Sequence, residues 1–170
     1  MPLDSEFVKI SASKLRKMLE KIEACAARLT PQQIWTRASD NENAVGNLML
    51  HLNGNVRQWI ISGVGGAEDT RVRDWEFSNR EAIPTAQLAA RLRATVEEAV
   101  RVIEGLCAEQ LMQPIRVQNF DVSRMEAVYH VVEHFAGHTF QIIFATKLLT
   151  GQDVGLTRLP APAAAGEKTP

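Results

Sequence analysis

The sequence predicts an all-α protein, a four-helix bundle with a long loop between its second and third helices. Apolar residues recur at three- and four-residue spacing in four separate stretches, the period that lines one face of an α-helix. The vocabulary of those stretches is Ala, Leu, Val, Arg and Glu, which favours helix, with only one Tyr, six Phe and three Trp in 170 residues. The seven prolines and ten glycines gather mostly between or beyond them. A chain of this length can build one hydrophobic core without splitting. One domain is therefore expected over residues 1–155.

Helix one is expected from Phe7 to Leu29, with Leu15, Met18, Leu19, Ile22, Ala26 and Leu29 on its buried face. Thr30, Pro31 and Gln33 then form an N-cap, a first helical position and a capping-box partner, so a short turn should carry Trp35 back onto the bundle. Residues 37–43 read as a polar connector. Helix two runs from about Ala44 to Ser62 on a stripe of Val45, Leu48, Met49, Leu52, Val56, Trp59 and Ile60, and Gly63, Gly65 and Gly66 stop it. Residues 67–83 carry charges of both signs and read as a surface loop pinned by Trp75 and Phe77, of the kind that borders a site.

Pro84 or Thr85 opens helix three, whose stripe of Leu88, Leu92, Val96, Val100, Ile103 and Leu106 extends to about Leu111 before Pro114. Ser123 and Glu126 spell a capping box for helix four, which continues through Val128, Val132, Phe135, Ile142, Ala145 and Leu149 to Gly151 as its terminating glycine. Residues 156–170 form a Pro- and Ala-rich tail with nothing to bury. Periodicity does not choose between the possible orders of helix direction.

A net charge of -1, with 45% hydrophobic and 23% charged residues, gives no field that would gather polyanions, so nucleic acid is not an expected partner. The first ten residues lack the basic and apolar blocks of a secretory signal, and no stretch reaches the ~18 apolar residues of a membrane span. A soluble, cytoplasmic protein is expected, without membrane association. Cys25 and Cys107 sit in apolar helical contexts and read as reduced core thiols.

The chemistry concentrates in the four histidines, His51, His130, His134 and His138. A helix turns ~100° and rises ~1.5 Å per residue, so His134 and His138 differ by about 40° and about 6 Å, which lets both imidazoles reach one ion. On helix two, Asn47, His51 and Asn55 draw a polar line through an apolar helix. Buried imidazoles and carboxamides without partners cost roughly 1–3 kcal/mol each, so this line is expected to face the histidines of helix four, with a metal satisfying both. Three neutral imidazoles leave a divalent ion open positions, as catalytic sites do. Zn, Ni, Fe or Mn could occupy such a site.

The segments AVGNLMLHLNGNVRQWI and EAVYHVVEHFAGHTFQIIFATKLL resemble the second and last helices of the DinB superfamily. The resemblance covers most of residues 1–151 and implies a four-helix bundle. It implies His51, His134 and His138 as metal ligands, one from the second helix and an HxxxH pair from the last. It also implies chemistry of the kind found in thiol-dependent transferases and isomerases that use bacillithiol, mycothiol or glutathione, or in metal-dependent hydrolases. Fold and ligands transfer better than reaction.

Other readings stand beside this one. His130 to His134 spell HxxEH, the inverted zinc-peptidase pattern, but a compact bundle offers little cleft and no further acidic ligand, and HExxH is absent. His130 could be a core imidazole, a group behind the metal or a base for substrate, and Gln141 could hold bound water. Glu133 is expected in solvent. Arg57, Arg71, Arg73 and Arg80 could hold carboxylates of a thiol cofactor or an acidic substrate, yet Asp69, Asp74, Glu76 and Glu81 alternate with them and favour mutual surface pairing. Trp59 and Trp75 read as packing residues. Asn47 and Asn55 divide evenly between support of the site and local bonding.

The function expected is that of a metal-dependent transferase or hydrolase acting on a small molecule, with a low-molecular-weight thiol as candidate cofactor. In it His51, His134 and His138 hold the ion, His130 or Gln141 positions the reacting group, and Arg57 and Arg73 hold the cofactor or substrate. The alternative is a non-catalytic stress or interaction protein stabilised by its metal. A homodimer is expected, joined in the alternative reading through its apolar helices.

Overall fold

A computed structural model describes residues 2–156, and the expected tail lies outside these residues apart from Leu156. The protein is mainly helical. In chain order it contains α1 (Leu3–Ala26), α2 (Pro31–Ile34), α3 (Val45–Val56) continued as a π-helix (Arg57–Val64), α4 (Arg73–Ser78), α5 (Thr85–Glu104), α6 (Ala108–Leu111), β1 (Pro114–Val117), β2 (Phe120–Ser123) and α7 (Arg124–Thr150). Among these described residues no helix is long and apolar enough to cross a membrane.

The apolar periodicity places the long helices. Leu15, Leu19 and Ile22 of α1, Leu52 and Val56 of α3, Leu92, Val96 and Ile103 of α5, and Val128, Phe135 and Ile142 of α7 are buried in one shared core. α1 packs against α5 and α7, and α3 packs against the same two helices. α3 and α7 therefore face each other directly, which is the arrangement a site built from both requires.

Local signals fix the ends. Thr30 caps α2 in a capping box with Gln33, whose side chain also donates to the carbonyl of Leu149 at 2.8 Å and ties this turn to the end of α7. Trp35 follows and donates from its indole to the carbonyl of Ile83 at 3.2 Å. Ser123 and Glu126 form the expected capping box of α7, and Gly151 ends it in the left-handed conformation at φ 67° that glycine adopts without steric cost.

Several expectations require correction. α1 begins at Leu3 and ends at Ala26. The second long helix changes to π geometry after Val56, with Gly65 donating to Ile60 at 2.8 Å; this buries Trp59, Ile60, Ile61 and Val64 together, a pattern no single α stripe would produce. The third helix stops at Glu104, and Cys107 caps the separate turn α6. Cys107 is thereby exposed, whereas Cys25 is buried as expected.

Residues 114–123 form an antiparallel hairpin, with Ile115 opposite Val122. Its turn residues Gln118 and Asn119 have φ of 50° and 69°, the positive values that a two-residue hairpin turn needs at both positions. Residues 67–83 also contain a helix, α4. Trp75 there is 41% exposed, while Glu76 and Asn79 are buried.

Leu92 is fully buried on α5, a helix without a histidine. Leu92→Ala should lower the urea unfolding free energy by about 2–5 kcal/mol through the lost burial and the cavity left behind. A loss below about 1 kcal/mol would contradict this packing.

Candidate metal centre

Two helices supply the site. His51 projects from the middle of α3, and α7 presents His130, His134 and His138 one turn apart. One candidate ligand atom from each of His51, His134 and His138 lies within 4.8 Å of the others. The Nε2 atoms of His51 and His134 are 2.9 Å apart, and the His138 ring lies 4.9 Å from that of His51 and 4.4 Å from that of His134. The residues expected as ligands are thus brought together.

The outer ring nitrogens of His51 and His138 are engaged, as suits candidate ligand imidazoles. His138 Nδ1 is 2.7 Å from Gln141 Oε1, so the carboxamide oxygen can accept the Nδ1 proton. Gln141, expected to hold bound water, contacts the candidate ligand His138. His51 Nδ1 is 3.0 Å from Glu76 Oε2. Both contacts leave Nε2 of their ring available, and that of His51 faces His134.

Glu76 is the residue that sequence reasoning missed. Arg71 donates from Nε to Glu76 Oε1 and from Nη2 to Oε2, each at 2.8 Å, and a third nitrogen, Nη1, donates to Gln58 Oε1 at 2.8 Å. The side chains of Arg71 and Glu76 are only 2% and 5% exposed, so this pair is not the surface pairing that alternating charge suggested. Burial alone would raise the Glu76 carboxyl's pKa, but hydrogen bonds and charge from Arg71 and His51 outweigh it and hold the group below the usual range.

Asn47 keeps α4 in place. Its Nδ2 donates to the carbonyls of Glu76 at 2.8 Å and Asn79 at 3.2 Å, and its Oδ1 accepts from Arg37. Asn47 therefore supports the site through the α4 backbone. Asn55 is buried too, and its Oδ1 has no protein partner among the described residues. One sequence signal pointed toward this arrangement. Gly54 is a helix-interior glycine beside the polar line, and such a residue costs ~1 kcal/mol against Ala unless backbone must approach something closely.

The other expected residues divide. His130 stacks on His134 at 5.5 Å between ring centres and lies 4.2 Å from the Trp59 ring, and its nitrogens bond no protein group among the described residues. Glu133 is exposed, as expected. Arg73 sits over the Phe77 ring at 5.0 Å, and Phe77 in turn lies 4.6 Å from the His51 ring. Arg57 lies 3.9 Å from Glu98 and lines a groove of about 350 Å³ with Arg91, Trp75, Arg71 and Glu76. That groove borders Glu76 and contains none of the histidines.

The donor set suits a divalent ion. Two Zn–N bonds of about 2.0–2.1 Å at a tetrahedral angle place nitrogens about 3.3 Å apart, so His51 and His134 need open by only a few tenths of an ångström. No further His, Cys, Asp or Glu joins the three among the described residues, which leaves coordination positions for water or substrate.

The three imidazoles of α7 are held toward their neutral form. Burial pushes His134 down to about 3, with the neighbouring His138, His51 and His130 and Arg71 adding to the effect. Burial lowers His138 against an opposing hydrogen bond to Gln141, and lowers His130 against the charge of Glu133. Unfolded imidazoles take protons near pH 6.5, whereas these resist them in the fold. The folded state of the metal-free protein therefore keeps its full stability above about pH 6.5 and loses it as pH falls from there toward about 3. The urea midpoint should drop between about pH 7.5 and about pH 5, and an unchanged midpoint would contradict the burial of neutral imidazoles.

Comparison with known proteins agrees with the fold. The chain is similar to a structure described as the conserved protein of locus from Enterococcus faecalis, with a TM-score of 0.75 and 18% sequence identity over 89% of this chain and 99% of that one. No curated protein matches the sequence. A model of the family described as "Protein of unknown function (DUF1572)" matches residues 3–162, and the chain belongs to that family.

Proposed function

We propose that this protein is a DinB-like four-helix-bundle metalloprotein whose three-histidine centre serves a small-molecule reaction, most simply transfer of a low-molecular-weight thiol to an electrophile. The observation that carries this reading is the convergence of three imidazoles with no fourth protein donor among the described residues. A divalent ion held by His51, His134 and His138 would lower the pKa of a thiol or water bound to it. Hydrolysis is the nearest variant. Zn, Ni, Fe and Mn all suit nitrogen ligands.

The chain's own residues supply the rest. His130 keeps an unprotonated ring nitrogen near neutral pH and stands one turn from His134, where it can accept a proton from the reacting group. Trp59, buried against His130, walls that side of the centre. Arg73 above Phe77 and Arg57 in the adjoining groove are the cations assigned to an acidic cofactor or substrate.

A second reading is favoured by the exposed apolar row of α7. Tyr129, Phe140, Phe144 and Leu148 are all more than half exposed, which suits an interaction protein or a homodimer whose metal is structural. It predicts that metal removal lowers the melting temperature while no thiol or ester substrate turns over.

Expression with supplemented metal should give about one ion per wild-type chain and less than about 0.2 in His134→Ala, measured by elemental analysis. Electrophiles screened with bacillithiol, mycothiol and glutathione should react faster with the wild type by at least about 100-fold. Equal turnover by both proteins would remove the metal from the mechanism.

A further inference from the structure

We infer that Glu76 is a positioning residue for the metal centre: clamped by Arg71 and seated on Gly54, its carboxylate fixes His51 with the proton on Nδ1 and leaves the Nε2 lone pair facing His134 and His138. The inference rests on the metal reading above and assigns a role to a carboxylate outside the ligand set.

Hydrogen-bond accounting selects the tautomer. Nδ1 of His51 has two neighbours, Glu76 Oε2 at 3.0 Å and Arg71 Nη2 at 3.2 Å. A guanidinium only donates and a carboxylate only accepts. Arg71 Nη2 gives one of its two hydrogens to Glu76 Oε2 at 2.8 Å, and offering the other to an unprotonated Nδ1 would still set the ring lone pair against the anionic oxygen 3.0 Å away. The proton therefore belongs on Nδ1. Both carboxylate oxygens are occupied by Arg71, so Glu76 has little freedom to turn and the imidazole inherits that rigidity.

Gly54 makes the arrangement possible. A β-carbon built there would overlap Glu76 Oε1 and would stand 2.7 Å from its Cδ and 2.9 Å from Arg71 Nε. The carboxylate lies in the space a side chain would fill, directly against α3 and one turn beyond His51. The overlapping atom is the end of a flexible side chain, so Gly54→Ala can be relieved by turning Glu76 away while the helices stay packed. Gly137 on α7 provides the contrast, since a β-carbon there meets nothing within 4 Å.

The test uses the full chain and zinc ion alone, with folding of each variant checked by circular dichroism. In the metal-free wild type, ¹⁵N imidazole shifts should report His51 as the Nδ1–H tautomer. Gly54→Ala and Glu76→Ala should shift it toward Nε2–H or a mixture, and chelator competition should show zinc affinity reduced roughly 10- to 100-fold. Glu76→Gln keeps an acceptor oxygen but loses the charge, and should retain the tautomer with a smaller loss. Gly137→Ala should match the wild type in both measurements. Folded Gly54→Ala and Glu76→Gln proteins with wild-type affinity, together with a wild-type His51 protonated on Nε2, would overturn the inference. Failure of the wild type to bind zinc would instead defeat the metal reading, and the tautomer comparison would still decide whether Glu76 sets the imidazole.

Discussion

Three imidazoles meet between α3 and α7, and the surrounding structure serves to keep them there and aimed at one another. His51, His134 and His138 bring polar nitrogens into an interior otherwise filled by groups such as Phe135, Leu52 and Ile142. Unpartnered, such nitrogens oppose folding by a desolvation cost. The outer sides of His51 and His138 meet Glu76 and Gln141, and the three rings meet one another on the inside, where an ion would bind.

The cost of this arrangement is met by the segment between the second and third long helices. Asn47 grips the α4 backbone, Arg71 neutralises Glu76, and Phe77 covers the His51 ring. A carboxylate and a guanidinium buried together are stabilising only when their hydrogen bonds are well made, and here both carboxylate oxygens are bonded. The segment is joined to the centre by directional bonds, so a change in Arg71 or Asn47 reaches His51 without altering any of the three histidines.

Much of this was legible in the sequence because it rests on periodicity and short-range caps. The four long helices followed from stripes such as Leu88, Leu92 and Val96, and the capping boxes at Thr30 and Ser123 lie where their spacing placed them. The pairing of His51 with His134 and His138 was legible from the polar line on one helix and the repeat on another. Glu76 and Arg71 were not, because alternating charge looks the same on a surface and in a buried clamp, and only tertiary contact with Gly54 distinguishes them. The hairpin escaped notice because its strands are too short to show alternation and its turn is Gln118-Asn119 without glycine. Cys107 looked like a core thiol because the helix break at Gly105 was read through.

The most direct test of the shared centre is anomalous diffraction from a crystal soaked in zinc, measured on both sides of the zinc absorption edge. A single peak about 2.0–2.1 Å from Nε2 of His51, His134 and His138 is predicted. A peak elsewhere, or one bonded to the α7 histidines while His51 stands apart, would contradict the account.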